Sequence, residues 1–555
     1  MKTLHVVGTG LVLPAHWSSE TRKALLEADH VFTLLDGPER LHLLRELNPN
    51  LETLDHYYGG PNKPRLTTYD ELSQRVLSAF EEHDRVCFVV YGNPGLLSMP
   101  AHLAIKGALE MGIEARMLTA VSAQDCLMAD LAVDGELGFE SYEVNDILIF
   151  EREWDFSRPK ILWQIFSVGE SGGEKILANE GLQTVSEYLV TLYGPEQELG
   201  IYLAATQPNL EPLLICCRAD ELAQTDIPGN ATLYIPPRGT RVHRTVPRKQ
   251  ARLHLVGLGL EPALQTTEES ERLILSGRPV FGYELDSNAI AWLEKRSVQH
   301  RVWDESALFS SAQETEAVLV FSGHPSFRGG VEVLNKASKL SIAARIEPCS
   351  SLISEAATCL GVDFDEGYQW FAGGRGTTTC PGVSLKALNL DLLGSFKLSS
   401  LERLDGDLRL NENGVEAPLF CSPLGQAPQT MARQHRLDEL ASGSRSVFYM
   451  NCLPAELQDR WELLCHGEMN EMELFQTANT FALKELTVIL DECGIRDNKE
   501  KFLAVCRDEP DSPVTLLTQL ASNCQRGLKS LSRGVTQEQI KRLLKLDRAA
   551  RPTGE

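Results

Sequence analysis

Short apolar runs ending on glycine recur between positions 4 and 323. Each is followed by a stretch with apolar residues three and four positions apart. LHVVGTG at 4–10, RVCFVVYG at 85–92, LHLVGLG at 253–259 and EAVLVFSG at 316–323 are the clearest runs. Runs of this length, apolar throughout, suit strands covered on both faces. The segment SSETRKALLEADHVF at 18–32 instead has the period of an amphipathic helix leading into another strand. Strands alternating with helices predict an α/β fold with a parallel sheet and ligands at the carboxyl ends of the strands.

The same pattern occurs twice. LHVVGTGL at 4–11 returns as LHLVGLGL at 253–260, VVYGNPG at 89–95 as VFSGHPS at 320–326, and AVSAQDCLMADLAVD at 120–134 as CSSLISEAATCLGVD at 349–363, all in one order. Two tandem units are therefore expected, and they are unequal. The interval from Gly8 to Gly92 is longer than that from Gly257 to Gly323. The extra length falls near DHYYGGPNKPRLTTYDE at 55–71, a tyrosine-rich loop of the first unit. The asymmetry points to one working site and one degenerate copy per chain. YIPPRGTRVHRTVPRKQ at 234–250 reads as a linker, its basic end as a solvated connection. The expected units are 1–240, 251–425 and an all-helical 426–555. In the last, ELQDRWELLCHG, TANTFALKELTVILDECG and PVTLLTQLASNC have helical spacing, and Thr536 with Gln539 fits a capping box.

Composition narrows the function. A formal charge of −24 over 555 residues disfavours nucleic acid and anionic membranes as partners. No stretch approaches the roughly 20 apolar residues that span a bilayer. The chain opens at once on a strand-like run with no signal-peptide pattern, so a cytoplasmic location is expected. The 13 cysteines are scattered, with Cys216–Cys217 the close pair, and none has zinc-ligand spacing. They read as thiols of a reducing compartment, and no metal is expected.

VGTG at 7–10 places two glycines on a strand-to-helix turn, where backbone can approach a polar ligand. It lacks the third glycine and the downstream acid of a dinucleotide site, which disfavours a nicotinamide enzyme. YGNPG at 91–95 is a second turn, rigid at Pro94 and permissive at Gly92 and Gly95. Tyr57, Tyr58, Arg65 and Tyr69 crowd one loop. A phenol titrates near 10, and an adjacent guanidinium would favour its anion. Such a pair can take up a weakly acidic proton and hold the resulting anion; partly buried rings on a solvated loop are the alternative.

These stretches carry a resemblance. HVVGTG, YYGGPNKPRLTTY, FVVYGNPGLLSMPAHLAI, VSAQDCLMADLAVD, ILWQIFSVG and LYIPPR, in that order, resemble the borosin peptide-backbone α-N-methyltransferases, a branch of the tetrapyrrole methylases. The resemblance covers most of the first unit. It implies S-adenosyl-L-methionine as cofactor, set against Gly8, Gly10, the turn Tyr91–Gly92–Asn93–Pro94, Leu96, Met99 and the Ser122–Ala123 step. It implies Tyr58, Arg65, Tyr69 and Tyr91, with Tyr57 adjoining, as the catalytic group that eases amide deprotonation. Asn93 stands where fungal members have His, and Ser322 replaces the tyrosine of the YG step in the second unit. Relatives form homodimers; the second unit either mimics the second subunit or covers a surface. The chain ends IKRLLKLDRAARPTGE, without the Val/Ile-rich core peptide of fused relatives, so a precursor peptide supplied in trans is expected, self-methylation of the tail being the alternative. Methylation of a small molecule and a non-catalytic methylase-fold scaffold are the competing readings.

Overall fold

The computed structural model describes residues 2–451, excepting 59–62, 64, 145–146, 149–153, 169–178, 209, 361–367, 373–390, 397–419, 422–428 and 431–445. The first sheet is built from β1 (Thr3–Gly8), β2 (His30–Thr33), β3 (Leu51–Thr53), β4 (Arg85–Val90) and β5 (Glu114–Leu118), in the order β3-β2-β4-β1-β5. All its pairings are parallel, so every carboxyl end lies along one edge. Both faces are covered, which explains why no run looks amphipathic. Val86, Phe88 and Val90 join a core with Leu72 and Val76 of α3 (Arg65–Ser78) and Ala101, Ala104 and Ala108 of α4 (Met99–Glu110). Cys87 and Val89 pack the other face, against Ala24 and Leu25 of α1 (Ser19–Glu27) and Leu44 of α2 (Pro38–Leu47).

After α5 (Ala123–Asp130) the chain enters a second, mixed sheet. Its strands β6 (Phe139–Glu143), β7 (Lys160–Trp163), β8 (Glu198–Leu203), β9 (Leu213–Arg218) and β10 (Thr232–Ile235) run in the order β6-β7-β10-β8-β9. The linker then leads to a third sheet: β11 (Leu253–Gly257), β12 (Val280–Tyr283), β13 (His300–Val302), β14 (Ala317–Phe321) and β15 (Ala344–Glu347). Its order, β13-β12-β14-β11-β15, repeats that of the first sheet strand for strand, again all parallel.

The length difference between the two halves falls where the spacing put it. The crossover from β3 to β4 occupies positions 54–84, and that from β13 to β14 only 303–316. Its character differs from the expectation, however. Much of the tyrosine-rich segment is helix, because Leu72 and Val76 continue a stripe that buries fully against the sheet. The linker's end also differs, since Arg248 pairs with the buried Glu347 at 3.5 Å instead of standing in solvent.

The all-helical expectation for 426–555 fails where the structure reaches it. The strands β16 (Tyr368–Ala372), β17 (Asp391–Phe396), β18 (Phe420–Cys421), β19 (Gln429–Thr430) and β20 (Ser446–Asn451) include two beyond 426. SVFYMN at 446–451, with its β-branched and aromatic residues, pairs antiparallel with β17. The expected capping box at Thr536 and the three helical segments lie outside the described residues. No helix among the described residues is long and apolar enough to cross a membrane.

Candidate active site

The carboxyl edge of the first sheet gathers most of the residues singled out from sequence. Gly8 ends β1, Tyr57 lies in a short 3-10 turn just after β3, Tyr91 follows β4, and Ser122 follows β5. The two glycine turns lock together. The Gly10 amide donates to the Gly92 carbonyl at 3.2 Å and the Gly92 amide returns the bond at 3.1 Å. A Cβ at Gly8 would stand 2.0 Å from the Gly92 carbonyl oxygen and 3.0 Å from Pro94 Cδ. Glycine at position 8 is thus a packing requirement.

This pairing corrects one expectation. The amides of the VGTG turn do not reach outward. Besides Gly10, Thr9 donates to the Val90 carbonyl, and Leu11 and Val12 point at His16 Nδ1 at 3.2 and 3.4 Å. Burial, with Arg248 nearby, pushes His16 down to about 3, so its ring is neutral and keeps an acceptor for these amides. The open place is Gly92. It has φ +71°, and a Cβ there would meet only Leu11 Cδ2, at 3.4 Å.

Asn93 is buried. Its side-chain nitrogen donates to the Ala120 carbonyl at 2.8 Å and to the Ser354 carbonyl at 3.4 Å, and its oxygen accepts from the Gly95 amide at 2.8 Å. It braces the turn and does not face a cleft. Leu96 is half-buried in an apolar cluster with Phe327, Ile353 and Ala357, and Met99 is half-buried at the start of α4. Ser122 caps α5 in a capping box with Asp125, which accepts from the Ser122 amide at 2.8 Å. Burial raises the Asp125 carboxyl to about 6, against the hydrogen bonds from Ser351, Ser354 and Ser122. Ala123 is half-buried beside them.

Of the tyrosines, Tyr58 and Tyr91 are the exposed pair, at 43% and 41%. Tyr57 and Tyr69 are half-buried and pack on one core cluster beneath the sheet edge. Arg65 opens α3, and the position of its side chain lies outside what is described. Lys63 donates to the Tyr57 carbonyl at 2.6 Å and pairs with Glu71 of α3, tying the segment to its helix. Burial pushes the Tyr91 phenol up to about 12, although Arg40 lies over its ring at 5.6 Å and works in the other direction. Tyr91 is therefore a neutral hydroxyl, able to donate a hydrogen bond. Arg40, Lys63 and Ser354 were missed in the sequence, as was the role of Asp125, because nothing in their local spacing marks them; only folding brings them to the turns.

Against this geometry, residues 3–210 match the Tetrapyrrole (Corrin/Porphyrin) Methylases family. That match lies within the first unit, whose sequence is also similar to borosin precursors. It is 31% identical over 243 residues to a methyltransferase/type I borosin cyclic peptide precursor from Serendipita vermifera subsp. bescii, a match covering 42% of this chain and 59% of that protein. It is 30% identical over 278 residues to the methyltransferase/omphalotin A precursor of Omphalotus olearius, covering 49% and 64%. A dendrothelin A precursor from Dendrothele bispora is 31% identical over 245 residues, covering 43% and 58%. The chain thus spans about three-fifths of the length of these curated relatives.

Proposed function

We propose that this chain is an S-adenosylmethionine-dependent methyltransferase that methylates backbone amide nitrogens of a ribosomal peptide supplied in trans. The observation that carries the reading is the convergence of Gly92, Tyr91 and Tyr57 on one sheet edge, with Tyr69 packed on the same core cluster as Tyr57, in a domain with borosin-like sequence. The residues suit the group. The Gly92 turn leaves space beside its α-carbon, Tyr91 stands half open next to it, and Ser122 caps the helix that follows the neighbouring strand β5. S-adenosylmethionine, when bound, supplies an electrophilic methyl group.

The chain's own task is to make a poor nucleophile reactive. An amide nitrogen shares its lone pair with the carbonyl, and alkylation requires imidate character. As the N–H proton leaves, charge builds on the carbonyl oxygen. The neutral Tyr91 hydroxyl is a donor for that oxygen, and a guanidinium from Arg65 would add a second, charge-assisted one. Tyr58 and Tyr69 are the residues proposed to relay the proton, each hydroxyl giving up its own as it takes one, to solvent at the exposed Tyr58. The second parallel sheet, with its shortened crossover and Ser322 in place of the tyrosine, is read as the degenerate copy.

The test is mass spectrometry after incubation with S-adenosylmethionine, both of the intact chain and of peptides containing candidate precursor sequences. Additions of one or more methyl groups, localised by fragmentation to backbone amides of an added peptide, are expected. Additions on the chain's own residues beyond 452 would replace the trans reading by self-methylation. Methylation confined to a small molecule would overturn the peptide reading.

A further inference from the structure

Resting on that methyltransferase reading, we propose that the second unit is a built-in partner subunit. Its helix Leu352–Leu360 clamps the cofactor turn of the first unit while its own turn lacks the half-open tyrosine and the long crossover, so that each chain binds a single S-adenosylmethionine.

At three places a residue or strand of the first unit meets its own counterpart in the second. AVSAQDCLMADLAVD and CSSLISEAATCLGVD align so that Asp125 corresponds to Ser354, and these two residues touch. Ser354 Oγ donates to Asp125 Oδ2 at 2.6 Å and lies 3.2 Å from Ser122 Oγ. Ser18 and Thr267, which cap corresponding helices, face each other in an antiparallel bridge. By the same alignment β16 corresponds to β6, and the two strands pair antiparallel. Gln369 sits opposite its counterpart Glu140, with Tyr368 opposite Ser141 and Trp370 opposite Phe139. A strand meeting its own copy in this register is the signature of an isologous interface, here within one chain.

The clamp acts at the Tyr91–Gly95 turn. A Cβ at Gly95 would stand 2.6 Å from the Ala357 carbonyl carbon and the Thr358 nitrogen, so the helix backbone lies directly on the turn. Asn93 reaches the Ser354 carbonyl, and Thr119, at the end of the strand leading to the Ser122 step, hydrogen-bonds Thr358 at 2.7 Å and also Glu355. The turn beside the proposed methyl donor is thus bounded on one side by the second unit.

The corresponding turn of the second unit is built from different side chains. Gly257 is crowded as Gly8 is, but Cys349, where the first unit has Ala120, takes the Gly259 amide that would match the Gly10 bond to Gly92. Ser322, where the first unit has the half-open Tyr91, is buried and accepts from the Asp286 amide at 3.0 Å. No bridge matching Gly10–Gly92 forms between Gly259 and Gly323 among the described residues. The crossover matching the tyrosine segment is the short one, between β13 and β14.

Titration calorimetry of the full chain with S-adenosylhomocysteine tests this. One equivalent per chain is expected. Gly92 and Gly323 both have positive φ, with open space beside them, so alanine costs them similar strain. Gly92→Ala should weaken binding at least tenfold, and Gly323→Ala should leave it within twofold. Ala357→Leu, which pushes on Gly95, should also weaken binding at least tenfold, and Ser354→Ala severalfold; the latter decides alone if Ala357→Leu fails to fold by circular dichroism. Two equivalents, or equal losses in Gly92→Ala and Gly323→Ala, would overturn the inference and leave the methyltransferase reading intact. Unchanged affinity in the folded clamp variants would do the same. No binding by the wild type would remove the methyltransferase reading itself.

Discussion

Tyr91 and Arg65 divide the proposed chemistry between a neutral donor and a charge, and each has its own signature. With the Tyr91 hydroxyl pushed up to about 12, its donor form persists across the working range. Initial rates measured from pH 7 to 10 should show no loss attributable to it, and Tyr91→Phe should lower kcat at all these pH values alike. Arg65→Ala and Tyr69→Phe should abolish turnover while S-adenosylhomocysteine affinity stays within a few-fold, by single-turnover assay and calorimetry. Loss of binding in both would move them from chemistry to cofactor holding. Gly8 belongs to a different category from Gly92. Alanine at position 8 drives a Cβ into the Gly92 carbonyl, whereas at position 92 it meets space. Thermal denaturation should therefore show Gly8→Ala as the more damaging change, with a loss exceeding the roughly 1–2 kcal/mol of strain expected for Gly92→Ala.

Elements are held against one another by charge as well as by apolar contact. Arg345 and Glu347 of β15 are both buried, with Arg345 3.4 Å from Asp130 at the end of α5 and 3.2 Å from Glu347. Glu347 also meets His254 of β11 at 2.9 Å and Arg248 of the linker. Burial opposes the Glu347 charge, but Arg345, the His254 hydrogen bond and Arg248 outweigh it and hold the carboxyl down at about 2. A carboxyl depressed on folding stabilises fully above its unfolded value, near 4.5, and that contribution fades as pH falls toward 2. Glu347→Gln should therefore be less stable than the wild type at pH 7, by about 3 kcal/mol, the usual scale for breaking a buried pair. Urea unfolding at pH 7, 5 and 3 should show the gap narrowing below pH 4.5. A constant gap would mean that the loss is one of packing.

For the molecule as a whole, the proposed pairing of two units within one chain alters what a subunit is. The helix that touches the Asn93–Gly95 turn comes from the same chain, so no second copy is needed to form the seam. Sedimentation at micromolar concentration should give a species of 61.5 kDa. A stable species of twice that mass would show that another surface, outside the internal seam, pairs two chains.

The linear sequence by itself determined the parallel α/β architecture, the recurrence of the strand pattern, the site of the length difference and the likeness of the first unit to the tetrapyrrole methylases. All of these rest on short-range information: apolar runs, glycine at strand ends and recurring words. It did not reveal that α3 runs through much of the tyrosine segment, because a helix preceded by Gly and Pro at 59–64 looks like a loop until Leu72 and Val76 have a sheet to bury against. Nor did it reveal the strand Ser446–Asn451, whose short run carries little period of its own and is fixed by pairing with β17. The state of Tyr91, the inward pairing of the VGTG amides and the Ser354–Asp125 contact were decided by tertiary structure alone. Each depends on burial or on groups far apart in the chain, where desolvation and distance, not local spacing, set the energy.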